Sequence, residues 1–266
     1  MTDDVDELRE FAETIAVRAG DEALAGRRRL GVGQPVAHDT KSTTTDPVTE
    51  YDRAAERLIA DEIRRRYPDD AIVGEEGADD SGTSGREWHV DPIDGTVNFV
   101  YDLPSWCTSI AVVDATGSIA GAVYAPVTGE LYSAGRGRGA TLNGSAIACS
   151  AVTELERALV ATGFSYSADR RARQADRLAR LLPSVRDVRR LGSAAIDLCL
   201  VACGRLDAYY EEHLNSWDIA AAVLIAAEAG AVTSDFEGGP PRPAATIAAG
   251  PGVHRQLVEL LAVLDA

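Results

Sequence analysis

The run Asp91-Pro92-Ile93-Asp94-Gly95-Thr96-Val97-Asn98-Phe99 follows a short β-prone stretch, residues 87–91, and it decides how the rest of the chain is read. Pro92 fixes its own φ and restricts the residue before it, so a turn here can aim the Asp91 and Asp94 carboxylates and the Ile93 carbonyl at one point. Magnesium takes about six oxygens at about 2.1 Å and keeps some of them as water, a demand that two carboxylates and a carbonyl suit. Gly95-Thr96 come next. A helix starting there would turn free N–H groups and its positive dipole end toward an anion beside the metal. Taken alone, the run also fits an acidic turn that caps a helix.

Three more acidic segments bear on the same reading: Asp46-Pro47-Val48-Thr49-Glu50-Tyr51-Asp52, Gly74-Glu75-Glu76 and Trp217-Asp218-Ile219-Ala220-Ala221-Ala222. Each has an ordinary structural explanation. Asp46 and Thr49 fit a helix start, Glu75-Glu76 a solvated loop after a strand, and Asp218 an acid favoured by a helix dipole at its N-terminus. Together they supply carboxylate oxygen for two or three hard divalent cations, with a phosphate held at the loop-to-helix junction. That combination implies metal-assisted hydrolysis of a phosphate ester.

The periodicity outward from these segments predicts two halves, residues 1–150 and 151–266. Val5, Leu8, Ala12, Ile15, Ala16 and Ala19 follow helical spacing over residues 3–25. Residues 31–46 read as a polar loop. Thr49 starts a second helix, with Asp52 three residues on as in a capping box, and the helix ends near Tyr67-Pro68. Strands are expected at 71–74, 87–91, 108–114, 118–124 and 130–134, the last three as an antiparallel meander. Residues 77–85, acidic and rich in Gly and Ser, read as flexible. The second half alternates: strand 158–162, helix 169–182, strand 186–191, helix 193–203, strand 206–211, helix 217–229, strand 245–249, helix 251–264. That is a layered α/β half after an α+β half.

At 266 residues the chain can bury a large core, and no stretch approaches the roughly 20 apolar residues of a membrane span. The acidic start, Met1-Thr2-Asp3-Asp4, is unlike a secretory signal, so a cytoplasmic protein is expected. Cys107, Cys149, Cys199 and Cys203 show no metal-ligand spacing, and no disulfide framework is expected. A net charge of −16 argues against nucleic acid and anionic membrane as partners. Lys41 is the single lysine among 26 basic residues. An acidic, lysine-poor surface is what a salt-rich, halophilic cytoplasm tolerates, because a Debye length of about 3 Å at 1 M salt screens self-repulsion. A GC-rich genome would account for the arginine bias equally well, but not for the excess of acid.

Read together, the segments resemble the inositol monophosphatase family of metal-dependent, lithium-sensitive sugar phosphatases. Asp91–Phe99 matches its signature D-P-x-D-G-T-x-N-F, and Trp217–Ala222 its second, W-D-x-A-A-A. Arg190-Leu191-Gly192-Ser193-Ala194-Ala195 and Leu206-Asp207-Ala208-Tyr209-Tyr210-Glu211 match as well, so the resemblance runs over residues 5–260. It implies the α-β-α-β-α layered sandwich of the sugar-phosphatase fold, with α+β and α/β halves flanking the site. It implies magnesium, two or three ions, with manganese as a substitute. Glu75, Asp91 and the Ile93 carbonyl would hold the first ion, Asp91, Asp94 and Asp218 the second, and Glu75 would lie near a weaker third. Thr96, hydrogen-bonded to Asp46, would orient and deprotonate the attacking water. Gly95 and Thr96 would meet the phosphate, and Gly192, Ser193, Ala194 and Glu211 the polyol. Lys41 matches a family lysine near the metals, and the loop that carries it is expected to close over the site.

Residues around Glu211 depart from relatives acting on 3′-phosphoadenosine 5′-phosphate, which carry a Pro-Arg pair where Tyr210-Glu211-Glu212 stands here. They also depart from archaeal fructose-1,6-bisphosphatase relatives. The resemblance therefore implies a polyol monophosphate, foremost myo-inositol 1-phosphate, and a homodimer. Fructose-1,6-bisphosphatase, histidinol-phosphatase and nucleotide 3′-phosphatase are the alternatives within enzymes. An inactive metal or polyol-phosphate sensor would have lost at least one of the matching ligands, and none is lost.

Overall fold

The computed structural model describes residues 5–41, 43 and 45–264. The expected helix start at residues 3 and 4 and the acidic N-terminus lie outside them.

The chain opens with α1 (Val5–Leu30), whose buried face contains Leu8, Ala12, Ile15, Ala16 and Ala19 at the expected spacing. It runs beyond residue 25 because its last turn is held. Arg27 is buried there and donates from Nε to the Phe99 carbonyl (3.1 Å) and from Nη1 to the Gly31 carbonyl (3.2 Å). The stretch read as loop contains a short antiparallel ribbon of β1 (His38–Thr40) and β2 (Pro47–Thr49), with Lys41 just past β1. β2 leads directly into α2 (Glu50–Arg66). Its cap is the reciprocal one the spacing predicts: Thr49 Oγ1 accepts from Asp52 N, and Asp52 Oδ2 accepts from Thr49 N at 2.8 Å.

Next come β3 (Ala71–Gly74), β4 (Glu87–Asp94), α3 (Thr96–Val100), β5 (Cys107–Asp114), β6 (Gly117–Ala125), β7 (Glu130–Gly135), β8 (Ala140–Leu142) and β9 (Ser145–Ala146). They form one seven-stranded sheet in chain order, antiparallel except for the parallel pair β3–β4. The predicted meander is its centre. Residues 77–85 are pinned rather than loose. Asp80 and Ile72 exchange both backbone bonds at 2.9 Å, and the amides of Thr83 and Ser84 donate to the Asp69 carbonyl.

The remaining elements are β10 (Leu159–Thr162), α4 (Ala168–Leu181), β11 (Asp187–Arg189), α5 (Ala194–Ala202), β12 (Ala208–Glu212), α6 (Ser216–Glu228), β13 (Val232–Ser234), β14 (Ala245–Ala249) and α7 (His254–Leu264). The five strands order as β11-β10-β12-β14-β13, with parallel pairing on β10 and antiparallel pairing on β14. β13 is an edge strand of three residues, too short to show an alternation in sequence.

Side-chain alternation stacks these pieces. Along β5, Ile110 and Val112 pack with α1 and α2, while Ala111 packs toward α5 and α6. In the second sheet Tyr209 and Ala248 face α5 and α6, and their neighbours Tyr210 and Ile247 face Leu257 and Leu261 of α7. The order is α1/α2, sheet, α5/α6, sheet, α4/α7: the expected α-β-α-β-α sandwich. α6 lies between two sheets, which is why it is apolar on both sides rather than amphipathic.

One irregularity positions the site. Asp91 pairs with Ser109 of β5 and Asp94 with Cys107, so β4 carries one extra residue at Pro92-Ile93. In a regular strand, residues three apart face opposite sides; the bulge turns Asp91 and Asp94 to the same side. Pro92 has no N–H for the ladder, and its carbonyl instead accepts from Thr108 Oγ1 at 2.9 Å.

Because Thr49 caps α2 from a fully buried position, Thr49→Ala is expected to lower stability by about 1 kcal/mol, read as a lower urea midpoint with unchanged m-value.

Candidate active site

β4, α3, the starts of α5 and α6, and the ends of β10 and β12 enclose a cleft of about 460 Å3. Glu75, Asp91, Asp94 and Asp218 all line it, with Ile93, Gly95 and Thr96. A larger cavity of about 790 Å3 opens alongside and shares Phe164, Tyr166 and Arg190, but no acid lines it. The chemistry therefore belongs to the smaller cleft.

Each acid is held by a specific piece of backbone. Glu75 follows β3 in a turn whose Glu76 and Ala78 amides donate to the buried Glu56 carboxylate of α2, at 2.7 and 2.8 Å. A Cβ at Gly74 would lie 2.5 Å from Glu56 Oε2 and would displace the carboxylate that holds this turn. Asp91 Oδ1 accepts from the Ile93 amide at 3.1 Å. Asp94 reaches across to the start of α5, where its Oδ2 accepts from Ser193 Oγ (2.6 Å) and the Ala195 amide (2.8 Å). Asp218 sits in the first turn of α6, and its Oδ2 accepts from the Asn215 amide at 2.6 Å. A hydrogen bond of 2.8 Å between His89 Nδ1 and Ser216 Oγ ties β4 to that same turn.

The carboxyl groups feel one another. Burial pushes Asp91 well above the usual carboxylate range, and the charges of Glu75, Asp94 and Asp218 push it further. Asp218 is raised by burial and then by Asp94 and Glu75. Glu75 is pushed up to about 7, mainly by burial, with Lys41 opposing. Carboxyl groups that raise one another in this way favour a proton or a cation among them. Among the described residues no three His, Cys, Asp or Glu side chains form a finished metal cage. The donor set is nonetheless all hard oxygen around one cleft, and it fits magnesium rather than a softer ion.

The partner of Thr96 differs from the expected one. Thr96 Oγ1 lies 3.2 Å from Asp52 Oδ1 and 3.1 Å from the Ile93 carbonyl. Asp46 lines the cleft, but the acid beneath Thr96 is Asp52. Asp52 is fully buried; burial raises its pKa, against the bonds it accepts from Thr49. The capping box explains Asp52 in sequence and so hides its second use. One oxygen closes the helix start, and the other faces Thr96. Lys41 Nζ is 2.8 Å from Glu75 Oε1 and also pairs with Glu76. Burial alone would lower its pKa, yet these two carboxylates raise it, so it stays an ammonium.

The cleft is also lined by Gly192, Ser193, Ala194 and Glu211. Asn98 Nδ2 donates to the carbonyls of Leu191 (2.8 Å) and Ser105 (2.5 Å), fixing the loop that carries Gly192. Glu211 Oε2 accepts from Tyr209 Oη at 2.7 Å. The carboxylate lies against Gly163, where any Cβ would be 2.0 Å from Oε2.

The model of the inositol monophosphatase family matches residues 4–263. The chain belongs to this family. It is 46% identical to the inositol-1-monophosphatase of Mycobacterium leprae, over 97% of this chain and 94% of that protein. It is 40% identical to the Nus factor SuhB of Salmonella typhimurium, over 85% of each. The solved structure of Mycobacterium tuberculosis SuhB is similar with a TM-score of 0.85 at 40% identity, covering 99% of this chain and 98% of that one. This member of the inositol monophosphatase family is a phosphatase, and its cleft is where that activity is sought.

Glu211 gives the cleft a pH dependence. Burial pushes its pKa from 4.5 up to about 7, with Tyr209 and Arg190 opposing. The fold favours the neutral acid, so this contribution to stability is complete below about pH 4.5 and is lost as pH rises through about 7. In EDTA, calorimetric melting is expected to fall from about pH 5 to about pH 8, and Glu211→Gln to reduce that fall; a melting temperature rising over this range contradicts the assignment.

Proposed function

We propose that this phosphatase is a magnesium-dependent phosphomonoesterase for polyol monophosphates, with myo-inositol 1-phosphate its preferred ester. The observation that carries the reading is the convergence of Glu75, Asp91, Asp94 and Asp218 on one cleft that Glu211 also lines. Glu75, Asp91, Asp94, Asp218 and the Ile93 carbonyl would hold two or three magnesium ions, with manganese as a substitute. Bound there, the ions would supply charge neutralisation for the phosphate and a lowered pKa for water.

The chain's own residues supply position and proton transfer. Thr96 Oγ1 accepts a hydrogen bond from the attacking water while donating its own proton toward Asp52 Oδ1. Asp52, buried and with a raised pKa, takes the proton. Gly95, with φ of +96°, makes the turn that puts the next amides at the cleft, a conformation a side chain would oppose. Lys41 closes the cleft over Glu75 and Glu76 and screens their charge from the incoming phosphate. Glu211 accepts from a ring hydroxyl.

Arg170 and Arg190 also line the cleft and favour fructose 1,6-bisphosphate as the second candidate, since each offers a guanidinium to a second phosphate. Exposed Tyr101, Leu103 and Val32, gathered where Asp102 Oδ2 accepts from the Gly33 amide, support pairing with a second copy of the chain. The net charge of −16 disfavours nucleic acid as a partner, so none is proposed.

Phosphate release with magnesium, at low and at molar KCl, tests the substrate order among myo-inositol 1-phosphate, fructose 1,6-bisphosphate, histidinol phosphate and 3′-phosphoadenosine 5′-phosphate. Myo-inositol 1-phosphate should lead, and turnover that survives complete chelation would end the metal reading. Asp91→Asn, Asp94→Asn and Asp218→Asn should each lower kcat/KM by about a hundredfold or more.

The proton-transfer assignment has its own test. Asp52→Asn is expected to lower kcat by about a hundredfold, the usual worth of a positioned base, whereas Asp46→Asn stays within about threefold; the reverse order restores Asp46 to the role.

A further inference from the structure

Asp197 is a buried acid that neither the cap of its helix nor the carboxylate group around Asp91 uses. It stands in the first turns of α5, just past the cap, where Ser193 Oγ accepts from the Ile196 amide at 3.1 Å. Only 1% of the residue is exposed, and its Oδ1 has no hydrogen-bond partner among the described residues. Yet it lines the cleft, on the wall that also carries Glu211 and Arg190. Buried polar atoms in folded proteins are nearly always satisfied, so an unpartnered oxygen on a residue of the cleft wall marks a hydrogen bond still to be made.

Its charge state suits a particular partner. Burial pushes the acid well above the usual carboxylate range, Glu211 and Asp94 add to this, and Arg190 opposes. A neutral carboxyl group donates one hydrogen bond and accepts others, whereas an ionised one only accepts. Glu211, close enough for its charge to act on Asp197, already takes one bond from Tyr209 Oη. Two carboxyl groups side by side, able between them to donate and to accept, match two neighbouring hydroxyl groups, each of which both donates and accepts.

We propose that Asp197 is a specificity residue that, together with Glu211, grips two neighbouring ring hydroxyls of the polyol. The inference rests on the polyol monophosphate reading and adds to it a second contact, one that recognises a vicinal diol rather than a single hydroxyl. A merely structural acid behaves differently. Removing a buried, unsatisfied carboxyl would then stabilise the fold and leave substrate preference alone.

Steady-state kinetics of the full chain with magnesium separate the two. Myo-inositol 1-phosphate is compared with p-nitrophenyl phosphate, which has no ring hydroxyls, for wild type, Asp197→Leu and Asp197→Ala, with thermal melts alongside. The expected result is a KM for myo-inositol 1-phosphate raised about tenfold, with that for p-nitrophenyl phosphate within about twofold of wild type. A variant that melts higher and keeps the wild-type preference, or one that loses both substrates alike, overturns the proposal. Should neither variant fold, deoxy-inositol 1-phosphates lacking one ring hydroxyl decide it on the wild type. Two of them, at adjacent positions, must bind about tenfold more weakly, and uniform binding across the set overturns it. A wild type that hydrolyses p-nitrophenyl phosphate but no polyol ester overturns the polyol reading itself, and this inference with it. A wild type that prefers the polyol ester while Asp197→Leu keeps that preference overturns this inference alone.

Discussion

Several carboxyl groups buried around one cleft repel each other, and the surrounding architecture answers that repulsion. Glu75, Asp94 and Asp218 all act on Asp91, and Asp94, Glu75 and Glu211 on Asp218. The neighbours of Asp91 are steadied from three directions. Asp94 Oδ2 rests on the start of α5, Asp218 on the start of α6, and Glu75 against the Lys41 ammonium. Helix N-termini carry partial positive charge, so these starts lower the cost of negative charge where it gathers. The acids accordingly come from two places: Glu75 from just after β3 and Asp91 and Asp94 from β4 of the first sheet, and Asp218 from the first turn of α6, which lies between the sheets.

Helix caps at this cleft serve twice. Asp52 and Asp218 are each the third residue of a capping box, paired with Thr49 and Asn215. In both, one carboxylate oxygen closes the helix start. In Asp52 the other oxygen faces Thr96, while Asp218 stands in the cleft wall. A cap fixes a side chain in one rotamer and one place, which is the rigidity that a reacting group needs. The same economy appears at Ser193, which caps α5 and holds Asp94.

Much of this was legible along the chain. The spacing of Leu8, Ala12, Ile15 and Ala19, the meander, the alternation after residue 150 and the Thr49–Asp52 box are local patterns. Local patterns survive in sequence because they depend on residues a few positions apart. The extension of α1 through Arg27, the pinning of residues 77–85 and the edge strand β13 were not legible. Each depends on a bond or pairing to a distant segment: Phe99, Ile72 and Asp69, and β14.

What the amino-acid order determined by itself was the family, the layered architecture and the set of acids. Those follow from short motifs and from periodicities of two and three to four residues. The tertiary structure alone decided which acid answers Thr96. Asp46 and Asp52 stand in the same acidic segment, and nothing local ranks one above the other. The rank is set by where the ribbon of β1 and β2 delivers the start of α2 against the turn after β4. Asp197 belongs with that second kind of fact. Its place in a helix is plain from sequence, but that its Oδ1 lacks a hydrogen-bond partner among the described residues and that it lines the cleft with Glu211 emerges only when α5 is laid between the sheets.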